Sequence, residues 1–219
     1  MSIANNIKKI KSELLETATL VAVSKTKPNE DILEAYNAGQ RIFGENKVQE
    51  LAQKHEDLPK DIEWHLIGHL QTNKVKFIAP FVSLIHAVDS LKLLKEINKQ
   101  ALKNNRVINC LLQVKIAKED SKFGLNQTDA KALINSEELP QLKGIKIIGL
   151  MGMSTNTPDE NQVQAEFDTL HQFYKKFSIL NSQFSILSMG MSGDYKIALK
   201  QGSNMIRVGS TIFGKRNFN

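Results

Sequence analysis

The feature that most constrains this chain is an alternation: eight short apolar runs, each followed by a segment with helical periodicity. A short apolar run rich in β-branched residues suits a strand buried on both faces, as parallel strands joined through helices are. Strands are expected at 20–25, 41–44, 63–68, 84–88, 108–116, 146–151, 185–188 and 205–208. Helices are expected over 3–16, 29–38, from Asn46 to about residue 55, 72–78, 127–134, 160–177 and 194–201. Another is expected from the capping pair Asp89-Ser90 to residue 104. No Pro/Gly/Ser linker and no change of composition divides the series. Residues 1–219 are therefore expected to form one α/β domain, a single (β/α)8 TIM barrel with an extra N-terminal helix. A doubly wound open sheet is the alternative, but no Gly-x-Gly-x-x-Gly follows the first strand.

Composition narrows the classes of function. The hydrophobic fraction of 41% and charged fraction of 24% are those of an ordinary globular protein. No stretch approaches the roughly 20 apolar residues of a membrane span, and residues 1–11 are too polar for a secretory signal. Cys110 is the single cysteine, so no internal disulfide forms. Together these suggest a cytoplasmic protein. The net charge of +6 fits an anionic partner, yet the lysines are spread along helices, as in Lys92-Leu93-Leu94-Lys95, and read as solvated faces. There is no RNA-binding aromatic motif, zinc-finger spacing or long basic block, so nucleic acid is not an expected partner. No cluster has metal-ligand spacing. A phosphate-bearing small molecule would use the same positive balance.

In such a barrel functional residues lie just after the strands, at their carboxyl ends. Lys25 stands where the first strand gives way to the helix opened by Pro28. A lysine at an apolar rim is partly desolvated, and an amine with a lowered pKa forms Schiff bases with carbonyls. The plain alternative is a solvated lysine beginning a loop. Strand seven runs into Ser188-Met189-Gly190-Met191-Ser192-Gly193-Asp194, and strand eight into Arg207-Val208-Gly209-Ser210-Thr211. Small and hydroxyl residues at those turns expose main-chain N–H groups, the usual phosphate site of barrels. Helix capping by Ser192 and Asp194 is compatible with that role. Arg207, alone in an apolar strand, either donates to a heteroaromatic ring nitrogen at the mouth or is buried in an ion pair. Glu45-Asn46 either orient a ligand or cap the next helix. His65 reads as a satisfied core histidine, whereas His69, Gln71 and Asn73 fall where the mouth would be.

Seven segments, in order, resemble one family: Ala22-Val23-Ser24-Lys25-Thr26-Lys27-Pro28; Phe43-Gly44-Glu45-Asn46 with Val48-Gln49-Glu50; Trp64-His65-Leu66-Ile67-Gly68 with Leu70-Gln71-Thr72-Asn73-Lys74; Ser121-Lys122-Phe123-Gly124; Gly149-Leu150-Met151; Leu187-Ser188-Met189-Gly190-Met191-Ser192; and Arg207-Val208-Gly209-Ser210-Thr211-Ile212-Phe213-Gly214. The pattern is similar to the pyridoxal phosphate homeostasis proteins, the YggS/PROSC-type relatives of the alanine racemase N-terminal domain. The resemblance implies a fold-type III barrel holding pyridoxal 5′-phosphate (PLP) as a Schiff base on Lys25. It places Ser192, Gly209 and Ser210 on the phosphate turns and Arg207 at the pyridine nitrogen. It also places Asn46 against the cofactor, with Met151 and Ser188 as pocket neighbours. Lys47 stands where relatives commonly carry an aromatic residue.

At the family level, alanine racemases need a second, β-rich domain and a tyrosine from a partner subunit. With the chain ending at Asn219 no such domain is expected, and Tyr36, Tyr174 and Tyr195 fall in helices. The resemblance therefore implies a protein, not an enzyme, that holds and releases PLP, with PLP-dependent apo-enzymes as acceptors; a monomer is expected because no partner domain or interface stripe is evident in the sequence. The alternative is a weak PLP-dependent amino-acid racemase.

Overall fold

In the computed structural model, residues 2–119, 123–179 and 182–214 are described. Lys122 and the Ser121-Lys122 half of its motif lie outside them. Eight parallel strands pair in chain order and close into a barrel through β1 (Thr19–Val23) and β8 (Met205–Val208), as the sequence leads one to expect. Between them run β2 (Ile42–Glu45), β3 (Glu63–Leu66), β4 (Leu84–Val88), β5 (Ile108–Gln113), β6 (Ile145–Met151) and β7 (Ile186–Ser188). The helices are α1 (Ile3–Glu13), α2 (Asn29–Asn37), α3 (Val48–Asp57), α4 (Leu91–Lys103), α5 (Gln127–Ile134), α6 (Glu160–Ser178), α7 (Tyr195–Lys200) and α8 (Ser210–Phe213). Ser90 caps α4 by accepting from the Leu93 N–H. Among the described residues no helix is long and apolar enough to cross a membrane.

Strand alternation sorts the core into two parts. Leu20, Ala22, Trp64, Leu66, Cys110, Leu112, Leu150, Leu187, Ile206 and Val208 face outward and pack under the helices. Val21, Leu84, Ala87, Leu111, Met151 and Met205 fill the barrel interior as a separate cluster. Next to Met205 on that inward face comes Arg207, two residues along the same strand, so the barrel brings a cation to its own mouth.

Several expected boundaries move: α1 stops at Glu13 instead of residue 16 and β3 at Leu66 instead of residue 68, and three further differences bear on the mouth. The helix expected at 72–78 is a 3₁₀ helix, Thr72–Phe77. β5 ends at Gln113: the Val114 N–H still donates to Met151 O, but Lys115 turns to Leu125 of the following loop, which bridges Val114 through bonds to Gln113 O and the Lys115 N–H. β1 ends at Val23 and the chain turns through Thr26, whose φ of 64° no strand allows.

Candidate cofactor site

A cavity of about 630 Å³ opens at the carboxyl ends of the strands. Six of the eight candidate residues line it: Lys25, Asn46, Ser192, Arg207, Gly209 and Ser210. The other two stand behind its wall. Ser188 is buried and accepts from Arg207, while Met151 belongs to the apolar layer inside the barrel. Met153, two residues further on the same face, takes the wall position. His69 lines the mouth, stacked on Phe123 at 4.8 Å, with Nδ1 3.5 Å from Asp89 Oδ2. Gln71 and Asn73 are exposed and do not line it, nor does Lys47, whose side chain is also exposed.

The charged residues lining this cavity, His69 apart, are all cations: Lys25, Lys27 and Arg207. Lys27 Nζ donates to the Phe213 carbonyl at 2.7 Å, tying the β1 loop to the end of α8. Arg207 is held by neutral acceptors: Nη1 donates to Ser188 O at 2.9 Å and Ser188 Oγ at 2.6 Å, and Nη2 to Gly152 O at 3.0 Å. Burial lowers its pKa to about 10, partly opposed by Asp194, so it stays charged at neutral pH. Among the described residues no carboxylate forms an ion pair with it, which resolves the choice left open by the sequence against the ion pair. A guanidinium has five N–H donors, so Nε and the second Nη2 hydrogen remain for a ligand.

Behind Arg207 a polar chain crosses the barrel. Ser188 Oγ accepts from the guanidinium and shares a hydrogen bond with His86 Nδ1, 3.3 Å away. His86 Nε2 and His65 Nδ1 share a hydrogen bond at 3.1 Å, the tautomers setting which of the two donates. Both histidines are buried, and desolvation drives His65 down to about 3 and His86 well below the usual histidine value, the latter helped by His65 and Arg207. With both rings neutral, one nitrogen of the pair donates and the other accepts. His65 is thus the satisfied core histidine read from the sequence, and His86 is its unforeseen partner.

The two phosphate-type turns meet at Ser192. Its Oγ accepts from the N–H groups of Gly209, at 3.2 Å, and Thr211, at 3.4 Å. Asp194 takes the Met191 N–H at 2.6 Å and the Ser154 hydroxyl at 2.7 Å, so it shapes the turn. Among the described residues the N–H groups of Ser192, Gly193 and Ser210, all on the cavity wall, find no acceptor. Such donors beside cations match an oxyanion.

Gly68 brings β3 against Asn46: a Cβ there would lie 2.4 Å from the Asn46 carbonyl oxygen and 2.8 Å from its Cα. Only glycine lets both residues sit side by side on the cavity wall. Outside the barrel, directly behind Lys25, stands a buried ion cluster that the sequence reading missed. Glu45, expected at the mouth or as a cap, is fully buried, with Oε1 accepting from Ser24 Oγ at 2.6 Å and from Lys54 Nζ at 2.8 Å. Lys54 also reaches Glu50 at 2.7 Å and Ser24 O at 2.8 Å. Glu50 in turn accepts the Thr26 N–H at 2.6 Å. Burial raises the Glu45 carboxyl above its ordinary range, against the pull of Lys54 and Ser24. Its only trace in the sequence is an i,i+4 Glu–Lys pair, common on any helix surface.

A closed parallel barrel with a lysine, a buried arginine and a turn of main-chain donors without acceptors at one mouth is the class of site these residues define, one that offers an amine and oxyanion donors side by side. The model of the alanine racemase N-terminal domain matches residues 1–217, and the chain belongs to that family. Within it, the chain belongs with the pyridoxal phosphate homeostasis proteins. It is 38% identical to the one from Aquifex aeolicus over 92% of this chain and 88% of that one. To the Helicobacter pylori protein of the same name it is 40% identical over 89% and 86% of the two chains. PipY of Synechococcus elongatus PCC7942, solved with PLP bound, superposes with a TM-score of 0.86 at 37% identity, covering 97% of this chain and 100% of PipY.

Proposed function

We propose that this chain binds PLP as a Schiff base on Lys25 and serves to hold and release the cofactor, without committed turnover of a substrate. The observation that carries the reading is the union, in one cavity, of the Lys25 amine, the Arg207 guanidinium and a turn of main-chain donors without acceptors. PLP offers an aldehyde, a phosphate and a ring nitrogen, and each finds its chemical complement there. The names of the relatives and the PLP-bound PipY structure support the same assignment.

Ser192, Gly209 and Ser210, with their turns, would take the phosphate. Asn46 would face the cofactor. Arg207 would donate to the ring nitrogen, Ser188 would hold Arg207, and Met151 would support the floor from the layer below. When bound, PLP supplies an aldehyde that condenses with a lysine amine, with loss of water, and a ring that withdraws electrons. Arg207 limits the second property. Because it stays charged and donates a hydrogen bond, it leaves the ring nitrogen unprotonated, which makes a weaker electron sink.

The tyrosines favour a carrier over a racemase. Tyr36 donates to Asp61 at 2.8 Å, Tyr195 donates to Glu13 at 2.6 Å, and Tyr174 stacks on Phe184. None lines the cavity, so none is placed to work opposite Lys25 in a two-base racemisation. A second reading, weak racemase-like chemistry, rests on His69, which lines the mouth with Nδ1 toward Asp89 and so leaves Nε2 to move a proton. On the carrier reading residues 1–219 act as one monomeric unit that passes PLP to apo-enzymes. Adding PLP to the apoprotein should produce a visible absorption band in the wild type and none in Lys25→Ala; equal bands would refute the assignment to Lys25. No deuterium should enter the α-carbon of any amino acid across a broad panel in D2O; Lys25-dependent exchange would establish the racemase reading instead. Transfer to an apo-enzyme no faster than from free PLP would remove direct delivery.

A further inference from the structure

The ion cluster behind the Lys25 loop is buried, charged and outside the cavity, and the binding of PLP makes no direct use of it. Lys54 is 5% exposed and Glu45 is fully buried, an unusual condition for either residue type. An ammonium has three N–H donors, and Lys54 places them on three acceptors: Ser24 O, Glu45 Oε1 and Glu50 Oε1. The same two carboxylate oxygens each accept a second bond from the Lys25 loop, Glu45 from the Ser24 hydroxyl and Glu50 from the Thr26 N–H. The chain is therefore tied to one ammonium immediately before and immediately after Lys25. Thr26 sits at a φ of 64°, a conformation that a β-branched residue adopts only where its surroundings impose it. Packing alone does not call for this cluster, since an apolar side chain of similar volume would fill the space between β2 and α3 as well or better.

We infer that Lys54, acting through Glu45 and Glu50, is the positioning residue for Lys25: it fixes the turn from which the Lys25 side chain enters the cavity. The inference rests on the reading that Lys25 carries the cofactor. Ser24 and Lys25 point to opposite sides of the strand end, so holding Ser24 outward holds Lys25 inward. Without the clamp, the loop samples other conformations, and the amine spends less time in reach of an aldehyde seated on the phosphate turns.

The test compares wild type with Lys54→Met, Lys54→Arg and Glu50→Gln on the full chain. Three quantities are followed: the rate at which the visible band develops with PLP in excess, the lysine trapped by borohydride, and the thermal midpoint of the apoprotein. Lys54→Met should slow reaction at Lys25 by about tenfold or more and spread the trapped adduct to other lysines. Lys54→Arg, which keeps the charge and several donors, should recover most of the rate. Glu50→Gln, which keeps an oxygen for the Thr26 N–H, should stay within about threefold of wild type. A purely structural role predicts a lower midpoint for Lys54→Met with rate and site unchanged, and that result would overturn the inference. Should Lys54→Met not fold, Glu50→Ala at the partly exposed end of the cluster takes its place. It should slow the reaction by about threefold or more, and an unchanged rate would be equally decisive against the clamp. Absence of a Lys25 adduct in the wild type would instead defeat the parent reading, and this inference with it.

Discussion

Arg207 is expensive to bury, and the chain meets that cost with carbonyls and a hydroxyl instead of a carboxylate. Replacing it by Met leaves Gly152 O without its donor and removes one bond each from Ser188 O and Ser188 Oγ, Ser188 O keeping that from the Gly152 N–H. The apoprotein should lose about 2–4 kcal/mol in urea unfolding, and PLP affinity should fall by about tenfold or more. The histidines behind it make a pH prediction. Their folded pKa values lie below the ordinary 6.5, so between 6.5 and the folded values the unfolded chain binds more protons. The stability contributed by the neutral pair is then present above pH 6.5 and lost as pH falls toward about 3. Each group adds a slope of about 1.4 kcal/mol per pH unit. Unfolding measured at pH 7, 6 and 5 should show that decline, reduced in a folded His65→Gln variant. A flat profile would contradict the neutral state of the buried pair.

At the scale of the element, two glycines mark where strands approach too closely for a side chain. Gly149 follows the irregularity between β5 and β6, and a Cβ there would lie 1.8 Å from the Ile186 carbonyl oxygen. Gly149→Ala should therefore break the β6–β7 pairing and cost about 3 kcal/mol or more in chemical denaturation. Gly68→Ala should push Asn46 from the cavity wall, lowering PLP affinity as well as stability in the same assays. Several elements were legible in the sequence: β4, α5 and β8 have the expected bounds, because apolar runs and capping residues mark them. The carboxyl end of β1 was not legible. It is set by Lys54 and Glu50, through bonds to Ser24 and Thr26 that span 30 and 24 residues and that no local pattern encodes. The Lys25, Arg207, Ser192, Gly209 and Ser210 constellation was readable because barrel topology sends every strand end to one face. His86 and the Glu45 clamp were missed because a histidine in a strand and a charged pair on a helix read equally well as ordinary packing and solvated surface.

For the whole molecule, closure of β8 onto β1 puts the first and last strands side by side, and with them Lys25 and the Gly209-Ser210 turn. Residues 185 positions apart in the chain thus line one cavity, and α1 braces this seam, packing against α2 and α8 and donating from Asn6 Nδ2 to Ile212 O at 2.9 Å. Ile10 of α1 is buried, so Ile10→Ala should lower stability by about 2–5 kcal/mol in urea unfolding while leaving the absorption band of the folded protein in place. The central claim, that this closed barrel exists to hold PLP on one lysine, is tested most directly by loading the protein with PLP, reducing with borohydride and mapping the adduct by peptide mass spectrometry. The account predicts a pyridoxyl group on Lys25, lost together with the visible band in Lys25→Ala. An adduct scattered over surface lysines, or none, would contradict it.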